Sequence, residues 1–271
     1  MIGMRTEVDA LKAFYASPLG DIAARQISRR AAELWPNLTG QTVIGIGYPT
    51  PVLEPIAAAA GAERVAALMP GPQGAWCWPK DAQSLTTLIA EDELPLADRS
   101  VDRVLLLHAL EDAEALRPLL REIWRVLTDS GRVLAITASR RGLWCRTDAT
   151  PFGHGRPYSM RQLRGVLQQA MFAPEAEARA LYAPPSAKSL SLRSSDAAER
   201  FGQRWAPRFG GVVMIDAAKS LYGAAPAGGA KVRSGAVVAE SGGLNHSDVP
   251  PLPRIPARVL PWAPEVGEDN D

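Results

Sequence analysis

Apolar residues along this chain fall into two rhythms, a three-to-four-residue spacing and short unbroken runs, and their alternation predicts the elements. Over residues 6–35, Val8, Leu11, Phe14 and Tyr15, then Ile22, Ile27, Ala31 and Leu34, recur at helical spacing. Ser17-Pro18-Leu19-Gly20 breaks this stretch into two helices, which cover a sheet edge or roof a cleft; Pro36-Asn37 ends the second. The β-branched run Thr42–Ile46 predicts a first strand, leading to a glycine turn at Gly45 and Gly47 and an Ala-rich helix over Leu53–Ala60. Thr50 suits the cap of that helix and Pro51 its first position; Pro55 disturbs its first turn and Gly61 closes it. Arg64–Met69 and Val101–Leu107 read as buried parallel strands, and residues 82–90 as a helix turn or a short strand. Leu116, Leu119, Leu120, Ile123, Trp124 and Leu127 place one apolar stripe on a helix, after which Asp129-Ser130-Gly131 turns into a strand over Arg132–Thr137. Ser159 and Gln162 form a capping box for a helix over 160–171. Ala178–Tyr182 and Gly211–Ala218 predict two closing strands, with a helix over Ser194–Trp205 between them.

Strands alternating with helices in this order predict an α/β fold with one twisted, mainly parallel sheet. Strand, tight turn, helix at Thr42–Pro51 is the opening unit of a nucleotide-binding α/β domain, in which glycine lets the backbone approach a ligand and the helix N-terminus offers free N–H groups. Pro49 and Pro51 stand where such a loop has glycine, and proline has no N–H to offer. After about Tyr222 the composition shifts to Gly, Ala, Ser and Pro with an acidic end. The expected organisation is a folded domain over 1–222 and a flexible tail over 223–271, whose PPLPRIPARVLPW stretch suits a groove on this protein or a partner.

Composition narrows the function classes. With 46% hydrophobic and 22% charged residues over 271 positions, the chain is an ordinary globular sequence. A formal net charge of +1 supplies no global field for nucleic acid or membrane, although a local patch can still act. Cys77 and Cys145 are far apart and fit neither a disulfide scaffold nor a zinc site, which suits reduced thiols in a cytoplasmic protein. Only three histidines are present, little material for a metal site. The N-terminal MIGMRTEVDALKAFY reads as neither signal peptide nor anchor, and no window reaches the roughly 18 apolar residues of a spanning helix.

Candidate chemistry lies at strand and loop ends. His108 follows the strand Val101–Leu107, where a neutral imidazole is placed to take a proton from a nucleophile or simply to bond backbone; Glu111 shares its loop. In the loop Thr150–Ser159, His154, Arg156 and Tyr158 are polar groups placed to close over a substrate. Arg140, Arg141, Arg146, Arg156, Arg161 and Arg164 face one acid, Asp148, a pattern that fits an anionic substrate, an acidic partner surface, or solvated side chains. Trp76, Trp78 and Trp144 either line a pocket or pack.

Three passages are similar to the class I S-adenosylmethionine-dependent methyltransferases, and most closely to those with a methyltransferase type 11 domain: LPLADRSVDRVLLLHALED, LLREIWRVLTDSGRVLAIT and GGVVMIDAAK. The resemblance spans roughly residues 42–219. It implies a Rossmann-like seven-stranded sheet, its last strand antiparallel, with helices on both faces. It further implies S-adenosylmethionine over the carboxyl ends of the first, second and fourth strands, within reach of Gly45, Gly47, Tyr48, Met69 and either Glu91 or Asp92. The implied activity is methyl transfer to a small-molecule or protein acceptor, His108 being the base if one is used. Several positions depart from the family pattern. Gly45 stands where the family has an acid, Pro49 and Pro51 where it has glycines, and Met69 where it has the carboxylate that accepts from both ribose hydroxyls. Losing that carboxylate costs about 1–3 kcal/mol of ligand binding. The alternative is an inactive member of the fold, a binding or regulatory module that contacts a partner protein through the proline-rich tail or the arginine-rich loop.

Overall fold

Side chains alternate across a strand, and where both sets are apolar the sheet needs helices on both faces. In the computed structural model, which describes residues 5–80, 82–185 and 192–221, seven strands meet this condition. They are β1 (Thr42–Gly47), β2 (Arg64–Pro70), β3 (Thr86–Ile89), β4 (Val101–Leu107), β5 (Leu127–Ala138), β6 (Phe172–Ala180) and β7 (Val212–Lys219). The helices are α1 (Val8–Ala16), α2 (Pro18–Leu34), α3 (Thr50–Ala60), α4 (Leu116–Val126), α5 (Met160–Gln169) and α6 (Leu192–Trp205). The sheet order is β3-β2-β1-β4-β5-β7-β6, parallel through β5, with β7 antiparallel to both its neighbours. The strand order reverses between β1 and β4, and a ligand crevice is expected beyond their carboxyl ends.

The two faces of the sheet have separate cores. Ile44, Ile46, Val104, Leu106 and Val133 pack against Leu119, Leu120 and Ile123 of α4 and Leu163 and Leu167 of α5. Val43, Leu105, Leu107, Leu134 and Ile136 pack against Ile27 of α2 and Val52, Leu53 and Ile56 of α3. Ser17 ends α1 and caps α2, its Oγ accepting from the Gly20 amide, so the predicted break is a sharp corner between two helices. The capping box at Ser159 and Gln162 is present.

Several boundaries differ from the sequence reading. Residues 86–89 are an edge strand. Strand β5 starts at Leu127 and runs through Asp129-Ser130-Gly131 instead of turning there; the register skips between Val101 and Arg103, which absorbs the extra residues. Strand β6 starts at Phe172, six residues before the predicted Ala178, because the whole segment pairs with β7. Helix α3 starts at Thr50 with Pro49 at its cap position and no side-chain cap, so Thr50 lies inside the helix. Among the described residues no helix is long and apolar enough to cross a membrane. The tail over 223–271 and its proline-rich stretch lie outside the described residues.

Candidate functional site

The crevice at the carboxyl ends of β1, β2 and β4 is built by the turn after β1, and that turn closes on itself. Gly45 has no side chain, and a Cβ placed there would lie 2.3 Å from Cβ of Pro49 and 2.9 Å from Leu53. The proline ring therefore occupies the space into which a residue 45 carboxylate would project. Gly47 sits at φ +95°, and a Cβ there would lie 2.2 Å from the Leu107 carbonyl oxygen, so only glycine lets β1 approach β4 so closely. Its own carbonyl accepts from Gln73 Nε2 at 2.8 Å, and the Tyr48 amide donates to the Leu107 oxygen at 2.8 Å. These bonds use backbone groups of the turn on the protein itself.

Side chains fill the rest of the crevice. Tyr48 and Met69 are 2% and 0% exposed, in one cluster with Leu11 of α1 and Trp78. Met69 at the end of β2 is thus a core residue in an apolar setting, and Trp78 Nε1 donates to Glu54 of α3 at 2.9 Å. Tyr15 of α1 stacks on Tyr48, ring centroids 5.6 Å apart and 16° between planes. The Tyr15 hydroxyl lies 2.8 Å from His108 Nε2. On its other side the imidazole meets Phe152, centroids 4.8 Å apart, and Phe152 packs edge-on to Trp144. His108 has φ +52°, a strained conformation for a residue with a side chain, held here between Tyr15 and Phe152.

Burial sets the electrostatics. Loss of solvent lowers the His108 pKa from 6.5 to about 3, so the ring is neutral at pH 7. The same cause raises Tyr48 to about 12 and Tyr15 well above 10. Glu111 is raised to about 7, chiefly by burial, and a bond from the Ala138 amide at 2.8 Å to its Oε1 partly opposes this. Its other oxygen, Oε2, is buried without a hydrogen-bond partner, as is Gln73 Oε1.

Glu91 and Asp92, the two residues suggested for the adenine end, separate. Asp92 is exposed. Glu91 is buried and pairs with Arg5 at 2.5 Å, while its Oε2 accepts from the Glu114 amide at 3.0 Å. Arg5 also donates to the Ala109 oxygen at 3.1 Å, next to His108. The loop candidates divide as well. His154 and Arg156 are exposed, His154 Nε2 lying 3.2 Å from the Asp148 carbonyl oxygen, whereas the Tyr158 hydroxyl donates to the Leu110 oxygen at 3.2 Å. The Arg156 amide donates to the Glu111 oxygen, which ties this loop to the loop after β4. Gly45, Gly47, Tyr48, Met69 and His108 lie in or just after β1, β2 and β4, whereas His154 and Arg156 are on the surface.

Sequence reasoning did not single out Arg5, Gln73 or Phe152. Arg5 precedes the first periodic residue, and Gln73 sits in a Pro-Gly loop, so neither carried a pattern. Tyr15 appeared only as one apolar position of a roofing helix. A donor-bearing aromatic on that stripe was the available signal.

The residues present do not fit S-adenosylmethionine as the family holds it. The position of the acid is taken by the Pro49 ring and that of the ribose carboxylate by buried Met69, while of the two acids suggested for the adenine end Glu91 is paired with Arg5 and Asp92 is exposed. A cavity of about 820 Å³ lies elsewhere, between α4 and α5, lined by residues such as Leu120, Trp124, Val166 and Met171.

Comparison with known proteins places this architecture. Residues 44–135 match the family described as a methyltransferase domain. No curated protein matches the chain. Among solved structures, a possible histamine N-methyltransferase from Thermotoga maritima is similar at 15% identity and a TM-score of 0.54, covering 79% of this chain and 96% of its own. A putative methyltransferase in complex with the Trm112 activator from Haloferax volcanii is similar at 15% identity and a TM-score of 0.55, covering 78% and 98%. The [4+2]-cyclase SpnF is similar at 18% identity and a TM-score of 0.51, covering 74% and 82%.

Proposed function

We propose that this chain, which resembles the class I S-adenosylmethionine-dependent methyltransferases in its fold and in its 44–135 segment, works as a binding or regulatory module in which the cofactor crevice has become core. The observation that carries the proposal is the continuous run of ring contacts Tyr48–Tyr15–His108–Phe152 across the ends of β1 and β4, with Met69 buried beneath α1. A ligand of nucleoside size would have to displace α1, separate Arg5 from Glu91 and leave the Tyr15 hydroxyl without its imidazole partner. Unpairing a buried charge alone costs about 3–5 kcal/mol, which lowers affinity by two to four decades. The fold does not require methyl transfer, since a [4+2]-cyclase is among its neighbours. The exposed arginines Arg140, Arg141, Arg156 and Arg161 supply a contact face for an acidic partner.

A second reading, methyl transfer with α1 as a lid and His108 as base, draws on the two unpaired buried acceptors, Gln73 Oε1 and Glu111 Oε2, which ligand donors would satisfy. Calorimetric titration of the full chain with S-adenosylmethionine and S-adenosylhomocysteine separates the two. The module predicts no heat at millimolar ligand; micromolar binding of either compound would overturn it in favour of the enzyme.

A further inference from the structure

Helix α6 faces the wrong way for an ordinary surface helix. A helix on a water-exposed surface turns its apolar side inward and its charges outward. In α6 the acid Glu199 is 1% exposed and accepts from the amides of Leu181 and Tyr182, and Asp196 accepts from Gln26 Nε2. Gly202 lies against the Tyr182 ring, so the inward face is small and acidic. The outward face carries Phe201 and Trp205, 65% and 69% exposed, and the short turn that follows adds Phe209 at 62%. Arg200, Arg204 and Arg208 run beside these aromatics at the same four-residue spacing and are also exposed. The Arg204 guanidinium lies 5.8 Å from the Trp205 ring centre. Next to this ridge, the Ser139 amide bonds the Gly211 oxygen, which brings exposed Arg140, Arg141 and Leu143 alongside.

We propose that this ridge seats the protein on an anionic lipid surface, with Phe201, Trp205 and Phe209 entering the headgroup layer and Arg200, Arg204 and Arg208 lying against lipid phosphates. Three aromatic side chains more than 60% exposed in water are unfavourable, and an interface between apolar and aqueous phases is where such rings are most stable. Glu199 is buried and bonded, and the half-exposed Asp196 is held by Gln26 and Arg29, so the aromatic face presents arginine to a partner of negative charge. A second copy would set one arginine row against another, and single-stranded nucleic acid is held in a groove lined by rings, whereas these stand out from a helix. The net charge of +1 conceals the patch because acids elsewhere balance it. This inference is independent of the crevice, and either can fail alone.

The test is co-sedimentation of the full chain with vesicles of phosphatidylcholine alone and of phosphatidylcholine with roughly a quarter phosphatidylglycerol, at low and high salt. Binding is expected to the anionic vesicles only, weakening as salt rises. The triple variant R200Q/R204Q/R208Q should bind on the order of a hundredfold more weakly, about fivefold per arginine. The variant F201S/W205S/F209S should lose binding while its thermal midpoint stays that of the wild type, which distinguishes loss of the surface from loss of the fold. Three results would overturn the proposal: no sedimentation with anionic vesicles, equal binding to neutral ones, or a dimer in light scattering that the aromatic variant abolishes without any vesicle binding.

Discussion

Replacing His108 with Gln, and separately Glu111 with Gln, should change the pH dependence of stability in a way that only a dry, closed crevice produces. His108 falls from its ordinary 6.5 to about 3 in the folded protein. Between those values the unfolded chain takes up a proton that the native state refuses. Stability therefore drops as pH falls through this window, by at most about 5 kcal/mol. Glu111 rises from 4.5 to about 7. Between those values the native state holds a proton that the unfolded chain releases. Stability therefore drops as pH rises, by at most about 3 kcal/mol. From pH 4.5 to 6.5 the two contributions have opposite slopes and nearly cancel. Urea unfolding at several pH values, read as the difference between wild type and variant, isolates each. H108Q should gain on the wild type as the solution is acidified, and E111Q should gain on it towards neutral pH. The ring resonances of His108 provide the direct check and should not move above about pH 4. If His108 titrates near 6.5, the imidazole is wet, α1 does not close over it, and the module reading loses its support.

Two further outcomes test the parts that close the crevice. Glu91→Ala should cost about 3–5 kcal/mol in urea unfolding, because Arg5 is left buried without a partner, and pairing Glu91→Leu with Arg5→Met should recover much of it. Gly45→Asp, which restores the acid of the family pattern, should destabilise by about 1–3 kcal/mol through its clash with Pro49, and adding Pro49→Gly should relieve part of the loss; equal thermal midpoints for the single and double variants would refute that pairing.

Much of the architecture was legible because it depends on local periodicity. The unbroken run Val101–Leu107, the helical stripe from Leu116 and the Ser159–Gln162 capping box each act within a few residues and appear where the pattern placed them, except that the stripe's last residue, Leu127, opens β5. Boundaries set by pairing with a distant partner were not legible. Strand β6 is drawn back to Phe172 by β7, and β5 likewise back to Leu127 by β4. The missing acids at 45 and 69 could also be read directly. What had replaced them could not, since Pro49 meets Gly45 and Leu11 packs in one cluster with Met69 only through the fold.

The sequence by itself determined that this chain forms a strand–turn–helix unit within a mainly parallel sheet, because hydrophobic period and glycine placement act over short distances. Whether the turn still opens onto a usable crevice was decided only in three dimensions. Arg5 meets Glu91 across 86 positions of chain, and Tyr15 meets His108 across 93. Contacts at such separation leave no local pattern, and they pack the protein's own side chains over the ends of β1 and β4.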